Sequence, residues 1–177
     1  MIRYQQFVAV GAVLLSAVAL TGCFKASGGG VLTDVISKHI ISVGFAMRCN
    51  DVGGVGIITG EFQFHDLNDG RAFHGVINSQ VFNPLNPGNV TCEAADLTAQ
   101  MFGAQNTFGA QGTYTPQPQT LGEGGAIQVT IQDGPGPFLS CLPGQDAVVI
   151  QLTGGVYGGH PAEQACLDHG NFTVFTE

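Results

Sequence analysis

Residues 62–77 read FQFHDLNDGRAFHGVI, and this stretch carries the clearest structural pattern in the chain. Apolar and polar residues alternate on both sides of a turn sequence, which is typical of two half-buried strands joined as a hairpin. A two-residue loop at Asp69-Gly70 places His65 opposite His74. A four-residue loop over 67–70 instead pairs His65 with Ala72, and His74 with Gln63. In both registers one face of the hairpin is apolar and consists of Phe62, Phe64, Phe73 and Ile77.

The alternation with a period of two continues along the chain, at 43–49, 127–132, 148–152 and 171–174. Turn sequences rich in Gly, Pro, Asn and Asp separate these runs, at 51–54, 83–88, 133–137 and 154–155. Short strands with frequent turns predict an all-β fold, either an antiparallel β-sandwich or a barrel-like sandwich. Residues 31–41 fit a short helix or an edge strand, 94–104 fit one helical turn, and 103–120 resemble a long connection.

The composition restricts the classes of partner. Only 10% of the residues are charged, and 13 acidic residues against 5 basic ones give a net charge of −8. Such a chain has no basic surface that could neutralise a phosphate backbone, so nucleic acid is not an expected partner. At the same time, 44% of the residues are hydrophobic, which is too many for a disordered acidic tail. The composition predicts an acidic, folded domain.

Residues 1–22 are expected to be an export signal rather than part of the fold. An apolar run of 14 residues, Phe7 to Leu20, follows Arg3. Its length fits the core of a signal peptide better than the roughly 20 residues of a spanning helix. Leu20-Thr21-Gly22-Cys23 then resembles the bacterial lipobox. The resemblance implies a lipoprotein with a lipid on the Cys23 thiol, cleavage before Cys23, and acylation of the new amino terminus, with palmitate as the expected fatty acid.

The lipobox also sets the expected domain organisation and location. Cleavage before Cys23 leaves 155 of the 177 residues, a length that suits one domain with a single core. Cys23 and the glycine-rich stretch 24–30 are expected to be a flexible tether, and 31–177 the all-β domain. The expected location is the bacterial cell envelope. Phe24 rather than Asp follows Cys23, which by the sorting rule for such proteins favours the outer membrane.

Four cysteines remain after Cys23, and export into oxidising surroundings favours disulfide bonds between them. Four cysteines allow three pairings. We favour Cys49–Cys92 together with Cys141–Cys166, because each closes a shorter loop within one half of the chain. A zinc site is less consistent with the sequence, because such sites need closely spaced cysteines and these are 25 or more residues apart.

The order of strands and turns resembles the post-COAP domain, an all-β family of secreted and surface proteins of bacteria. The resemblance covers about residues 43–176 and rests on short stretches: Gly44-Phe45, 60–66 (GEFQFHD), 73–75 (FHG), 112–114 (GTY), 127–134 (IQVTIQDG), Asp146, 152–157 (LTGGVY) and 170–174 (GNFTV). It implies a secreted β-sandwich without established catalytic residues. The four cysteines are not part of the family's pattern.

Two stretches are candidates for metal binding. His65 and His74 share the polar face of the hairpin, and two imidazoles there could hold zinc or copper with a third ligand, for which His160, Asp168 and His169 are the candidates. Residues 66–70 (DLNDG) resemble the beginning of a calcium loop. However, Gly70 falls on the fifth position rather than the sixth, and Ile77 stands where the closing Glu belongs. Ordinary turn chemistry is the competing interpretation of both.

No sequence pattern points to catalysis. The chain lacks a G-x-S-x-G nucleophile motif, and no spacing places two carboxylates together as a glycosidase would need. We therefore expect a non-enzymatic envelope module that binds or scaffolds a partner. The expected partners are the membrane, through the lipid, and another envelope protein. The alternative is a metal-binding protein that uses His65 and His74.

Overall fold

A computed structural model describes residues 25–81, 90–95, 106–134, 141–142 and 144–175. Within these ranges no helix is long and apolar enough to span a bilayer. The described chain forms eight strands, with a short 3-10 helix (Gln119–Leu121) between the fifth and sixth. The strands are β1 Lys25–Asp34, β2 Ile40–Val52, β3 Val55–Asp66, β4 Ala72–Gln80, β5 Thr107–Pro116, β6 Gly125–Gln132, β7 Ala147–Thr153 and β8 Glu163–Phe175.

The strands form one antiparallel sheet in which every strand pairs with its neighbour in sequence. β8 also pairs with β1, so the hydrogen-bonded ladder closes into a barrel. This confirms the prediction of an antiparallel all-β fold. We call the end where β1 finishes the Asp34 end, and it carries the connections β1–β2, β3–β4, β5–β6 and β7–β8. The opposite end, where β1 begins and β2 turns into β3, is the Val52 end.

The hairpin of β3 and β4 adopts the four-residue loop. Gln63 lies opposite His74, and His65 lies opposite Ala72. The Asp66 carboxylate stabilises the four-residue loop, because it accepts hydrogen bonds from the backbone N–H groups of residues 68 and 69. Gly70 completes the turn with a φ of 76°, a conformation that L side chains rarely adopt. The four apolar residues of the predicted inner face are all buried, as the alternation requires.

The expected tether is wrong from Lys25 onward, because β1 begins there and pairs with β2 on one side and β8 on the other. The glycines of β1 allow its backbone to lie close to the backbone of β8. A Cβ at Gly28 would lie 2.3 Å from the carbonyl oxygen of Asn171, and one at Gly30 would lie 2.2 Å from that of His169. The same glycines that suggest a flexible linker are therefore needed for close packing of three strands.

Three other expectations about local structure have mixed outcomes. Residues 31–41 contain no helix, since β1 runs to Asp34 and β2 starts at Ile40. The stretch 103–120 is mostly strand, because β5 occupies Thr107–Pro116. The helical turn expected over 94–104 begins earlier, at residues 92–95, and 96–105 lie outside the described residues. The second difference arises because β5 pairs with β4 and β6, which composition alone does not report. In the third, Thr91 precedes the helical turn and its hydroxyl accepts a hydrogen bond from the N–H of Ala94.

Aromatic side chains fill the interior of the barrel. A continuous series of ring contacts has centroid separations between 5.0 and 6.3 Å. In spatial order its members are Phe172, Phe45, Phe62, Phe73, Tyr114 and Tyr157. Offset and edge-on ring pairs contribute about 0.5–1.5 kcal/mol each beyond their area burial. The space enclosed by the sheet is thus occupied by the protein's own side chains.

Two aspartates complete the barrel where β7 is too short to cover β8. β7 pairs with β8 only as far as Ala147 opposite Cys166. Beyond that point, Asp146 accepts a hydrogen bond from the N–H of Phe172 at 2.7 Å, and Asp133 accepts one from that of Val174 at 3.0 Å. Because unpaired backbone donors are costly to bury, these carboxylates take the place of a missing strand.

Both predicted disulfide pairs are present. The Cys49–Cys92 bond spans 43 residues and the Cys141–Cys166 bond spans 25. The first ties β2 to the β4–β5 connection, and the second ties β8 to the β6–β7 connection. By loop-closure entropy they contribute about 4 and about 3.5 kcal/mol of stability, respectively. Each bond therefore holds a long connection against the barrel wall.

Two glycines of β5 provide a matched test of close strand packing. A Cβ at Gly112 would lie 2.0 Å from the carbonyl oxygen of Val76, whereas a Cβ at Gly109 has no atom within 4 Å. We expect Gly112→Ala to lower the free energy of unfolding by about 2 kcal/mol or more, because a backbone must shift. Gly109→Ala should leave it unchanged or raise it by about 0.4–1 kcal/mol. Urea unfolding measures both, and equal effects of the two substitutions would contradict this β4–β5 packing.

Candidate functional site

The Asp34 end of the barrel gathers six ionisable side chains, which we call the charged cluster. They come from the ends of β1, β3 and β8 and from the two hairpin loops between β1 and β4. The members are Asp34, His39, Asp66, Asp69, Arg71 and Glu163. Asp34, Asp66 and Glu163 are among the few buried polar residues of the described chain. Since ionised groups are rarely buried without partners, the contacts within the cluster decide what it does.

Arg71 connects three of the carboxylates. Its Nη2 donates to Asp66 at 3.0 Å and to Glu163 at 2.7 Å, and its Nε donates to Asp69 at 2.5 Å. Only 11% of the Arg71 side chain is exposed, and that of Asp66 is fully buried. Charge-assisted bonds of this kind are the strong ones, and they join β3, β4 and β8 at one point.

Two of the buried acids in the cluster, Glu163 and Asp34, have opposite environments. Burial raises the pKa of Glu163, and the hydrogen bond from Arg71 only partly offsets it. Burial also opposes ionisation of Asp34, but hydrogen bonds from Ser37, Gln164 and Ile36 outweigh it and hold the pKa of Asp34 below its ordinary value. Asp34 is therefore a stable anion that organises the β1–β2 loop, whereas Glu163 is the acid most readily protonated.

His39 joins the β1–β2 loop to the β3–β4 loop. Its Nδ1 lies 2.7 Å from Asp66 Oδ2, and this hydrogen bond raises the pKa of His39. Backbone bonds reinforce the junction: the N–H of Ile40 donates to the Asn68 side chain, and the N–H of Leu67 donates to the carbonyl of Ile40. The two loops are thus held as one unit, with the Asp66 carboxylate between them.

The cluster contains one set of residues with the composition of a metal site. Ligand atoms of His39, Asp66 and Asp69 all lie within 4.8 Å of one another. Arg71 already contacts both of these aspartates, however, so the set carries its own cation. The stretch 66–70, which resembles a calcium loop, is an Asp-initiated turn whose carboxylate binds backbone N–H groups. These contacts support ordinary turn chemistry, which is the competing interpretation of this stretch, and a structural role for the cluster.

His65 and His74 lie on the outer face of the hairpin, in two cross-strand pairs that the pair Phe64–Phe73 separates. Within the described residues neither belongs to a three-ligand group, and His74 lies 3.6 Å from Glu61. Asp168 and His169 are on β8, three strand spacings or about 14 Å from β3. At this distance neither Asp168 nor His169 can be a third ligand beside His65 and His74. A zinc or copper site at the two histidines stays a prediction. The remaining candidate, His160, packs edge-on against Tyr157.

Exposed aliphatic side chains surround this end of the barrel. Each of its four connections presents at least one, and we call the set the aliphatic rim: Ile36, Ile40, Leu67, Leu121 and Val156, with exposed fractions between 43% and 70%. Exposed aliphatics are ordinary when scattered, but five of the eight large hydrophobic side chains that are exposed in the described chain lie at this one end, which is typical of a contact surface. Exposed Glu123 and the partly exposed Asp69 add negative charge to it.

Sequence reasoning identified Asp66 and Asp69 but missed Asp34, His39, Arg71 and Glu163. His39 is 27 residues from Asp66, and Glu163 is 92 residues from Arg71, so no local spacing relates them. One signal was present: Arg71 is one of only four basic residues after Cys23 and directly follows a turn between two apolar strands. The predicted export signal (residues 1–22) and Cys23 lie outside the described residues. Comparison of the chain with protein-family profiles, curated proteins and solved structures finds no significant match.

Arg71 and Arg48 provide a matched pair of arginine substitutions. Arg71→Gln leaves buried carboxylates without their cation, so we expect a loss of about 3–5 kcal/mol in the free energy of unfolding. Arg48 is exposed on the barrel wall, and Arg48→Gln should change it by less than about 0.5 kcal/mol. Adding Glu163→Gln to Arg71→Gln should recover part of the loss. An Arg71→Gln variant as stable as the wild type in urea would refute the junction.

The raised pKa of His39 makes stability depend on pH in a defined direction. Protonated His39 binds Asp66 in the folded state and so raises the free energy of unfolding. This stabilising contribution is complete below the ordinary His pKa of about 6.5. The contribution is lost as the pH rises through the raised folded pKa. We expect the difference in unfolding free energy between wild type and His39→Gln to shrink as pH rises above about 6.5. The exposed His169→Gln is the control and should follow the wild-type profile at every pH.

Proposed function

We propose that the protein is a lipid-anchored module of the bacterial cell envelope, held through Cys23, that binds a partner protein and catalyses no reaction. The signal-like run and the lipobox at 20–23 support the anchor. Two disulfide bonds support export, because such bonds persist in oxidising compartments and are rare in the cytosol. Phe24, after the lipobox, supports placement in the outer membrane.

The aliphatic rim carries the assignment of a binding role. Four separate connections each expose an apolar side chain at one end of the barrel, next to a cluster with four carboxylates against Arg71 and His39. This combination suits a protein surface with apolar and basic residues, because apolar contact supplies affinity and charge complementarity supplies specificity. The interior is filled with aromatic rings, which favours binding on the outside of the barrel over binding within it.

The contacts of the charged cluster favour a structural role over catalysis. Each of its four carboxylates accepts hydrogen bonds from backbone N–H groups, from Ser37, from His39 or from Arg71. A general acid or base would need a free lone pair or proton directed at a substrate. The cluster instead fixes the loops that carry the rim, so that the aliphatic side chains are presented without a large entropy loss on binding.

The lipid anchor is tested by labelling cells with a radioactive fatty acid and by mass spectrometry of the purified protein. The wild type should carry the label, lack residues 1–22, and sediment with membranes. Cys23→Ser should lose the label and the membrane association together. The double variant Cys141→Ser/Cys166→Ser is the control and should keep both. An unmodified chain that starts at Met1 would refute the anchor.

The binding surface is tested by placing a photoreactive amino acid at single positions in living cells. Leu67 belongs to the rim, whereas Val76 is an equally exposed aliphatic on the barrel wall, with 49% against 54% exposure. We expect a discrete crosslinked product of one mass at position 67 and none at 76. Ile36→Ser, elsewhere on the rim, should weaken the product at 67. Equal crosslinking at positions 67 and 76 would contradict the proposal that the aliphatic rim is the binding surface.

A further inference from the structure

The start of β1 places the barrel close to the proposed anchor. β1 begins at Lys25, so Phe24 alone separates the first strand from Cys23. Two residue steps span at most about 7 Å of fully extended chain. A lipid on Cys23 would therefore hold the Val52 end of the barrel at the level of the lipid headgroups.

The hairpin of β2 and β3 extends past the start of β1 at this same end. Lys25 lies opposite Arg48, and β2 continues for four more residues to Val52. Four residues of strand are about 13 Å long, which exceeds the reach of the chain from Lys25 to Cys23. The tip of this hairpin thus lies at least as far along the barrel as the anchor itself.

The composition of the hairpin tip suits a membrane interface. Val52 is 63% exposed, and Gly53 and Gly54 form a two-residue turn with φ angles of 60° and 81°. The acid next to the tip, Asp51, is engaged, because its carboxylate accepts a hydrogen bond from the N–H of Cys92. An exposed apolar side chain such as Val52 gains free energy at the boundary between headgroups and acyl chains, although the exposed Asp51 beside it opposes deep insertion.

The hairpin is braced by a disulfide bond and by a backbone hydrogen bond. The disulfide from Cys49 joins β2 to Cys92, and the N–H of Gly56 donates to the carbonyl of Val90 at 2.7 Å. Arg48 lies opposite Lys25 just behind the extension, and the exposed Arg48 side chain would be attracted by anionic headgroups there. Glu93, exposed beside Cys92, offsets part of this attraction.

We propose that the Val52 end is a membrane-contact surface, with the tip of the β2–β3 hairpin seated among the headgroups of the bilayer that holds the Cys23 lipid. The proposal rests on the lipid anchor proposed above. In this orientation the Asp34 end, with its aliphatic rim, faces away from the membrane. Ten residues of β1, tilted as in a barrel, set the rim about 25 Å above the anchor. A partner would then meet the rim in the aqueous space of the envelope.

The chain contains no Trp, so a single introduced Trp reports its own surroundings. Val52→Trp, Leu67→Trp and Val76→Trp place it at the Val52 end, at the Asp34 end and on the barrel wall, at sites that are all exposed. Each full-length, acylated variant is reconstituted into vesicles of phosphatidylethanolamine and phosphatidylglycerol that contain bromine-labelled lipid. The bromine quenches a Trp only if it lies at the membrane. Mass spectrometry of the same samples verifies the acyl chains.

We expect the Trp at position 52 to lose most of its fluorescence to the brominated lipid and to shift its emission to the blue. The Trp residues at 67 and 76 should keep their intensity and stay accessible to a quencher in water. Quenching at 76 would mean that the barrel lies on its side, and quenching at 67 that it is inverted. Either result, or no quenching at 52 in acylated protein, overturns the orientation alone. A chain without acyl mass overturns the anchor and the orientation together.

Discussion

Closure of the sheet between β1 and β8 is the constraint on which the remainder of the structure depends. β1 pairs with β2 on one side and β8 on the other, and its glycines allow neighbouring backbones to approach within contact distance. Closure satisfies the backbone groups that an open sheet would leave at its edges. It also brings the beginning of β8 next to the loops of the first two hairpins, which is what places Glu163 beside Arg71.

The two ends of the closed barrel have different physical characters. The Asp34 end concentrates buried charge, with Arg71 bonded to three carboxylates and His39 joining two loops. Taking these charges out of water is unfavourable unless each is well bonded, so the cluster serves the geometry of the loops more than the stability of the fold. The Val52 end is held by a disulfide and carries an uncharged hairpin tip. This polarity underlies both proposals: a partner at one end and a membrane at the other.

Local patterns predicted the β3–β4 hairpin well, because alternation is a property of the strand itself. Phe62 and Phe73 face the core in either register, so their burial did not depend on the loop. The choice of register required the turn geometry, in which Asp66 binds two N–H groups of the loop. The disulfide pairing also followed from sequence, since short loops close at the least entropic cost. Glycine-rich β1 did not, because the same composition is found in tethers and in closely packed strands.

The sequence by itself determined the strand pattern, the apolar face of each strand, the acidic charge and the pairing of the cysteines. These depend on periodicity, composition and separation along the chain, all of which are local or additive properties. Only the tertiary structure decided that the sheet closes, that Arg71 meets Glu163 across 92 residues, and that the aliphatic residues of four loops share one end. Such contacts depend on which strands become neighbours when the barrel closes, and no spacing along the chain encodes that.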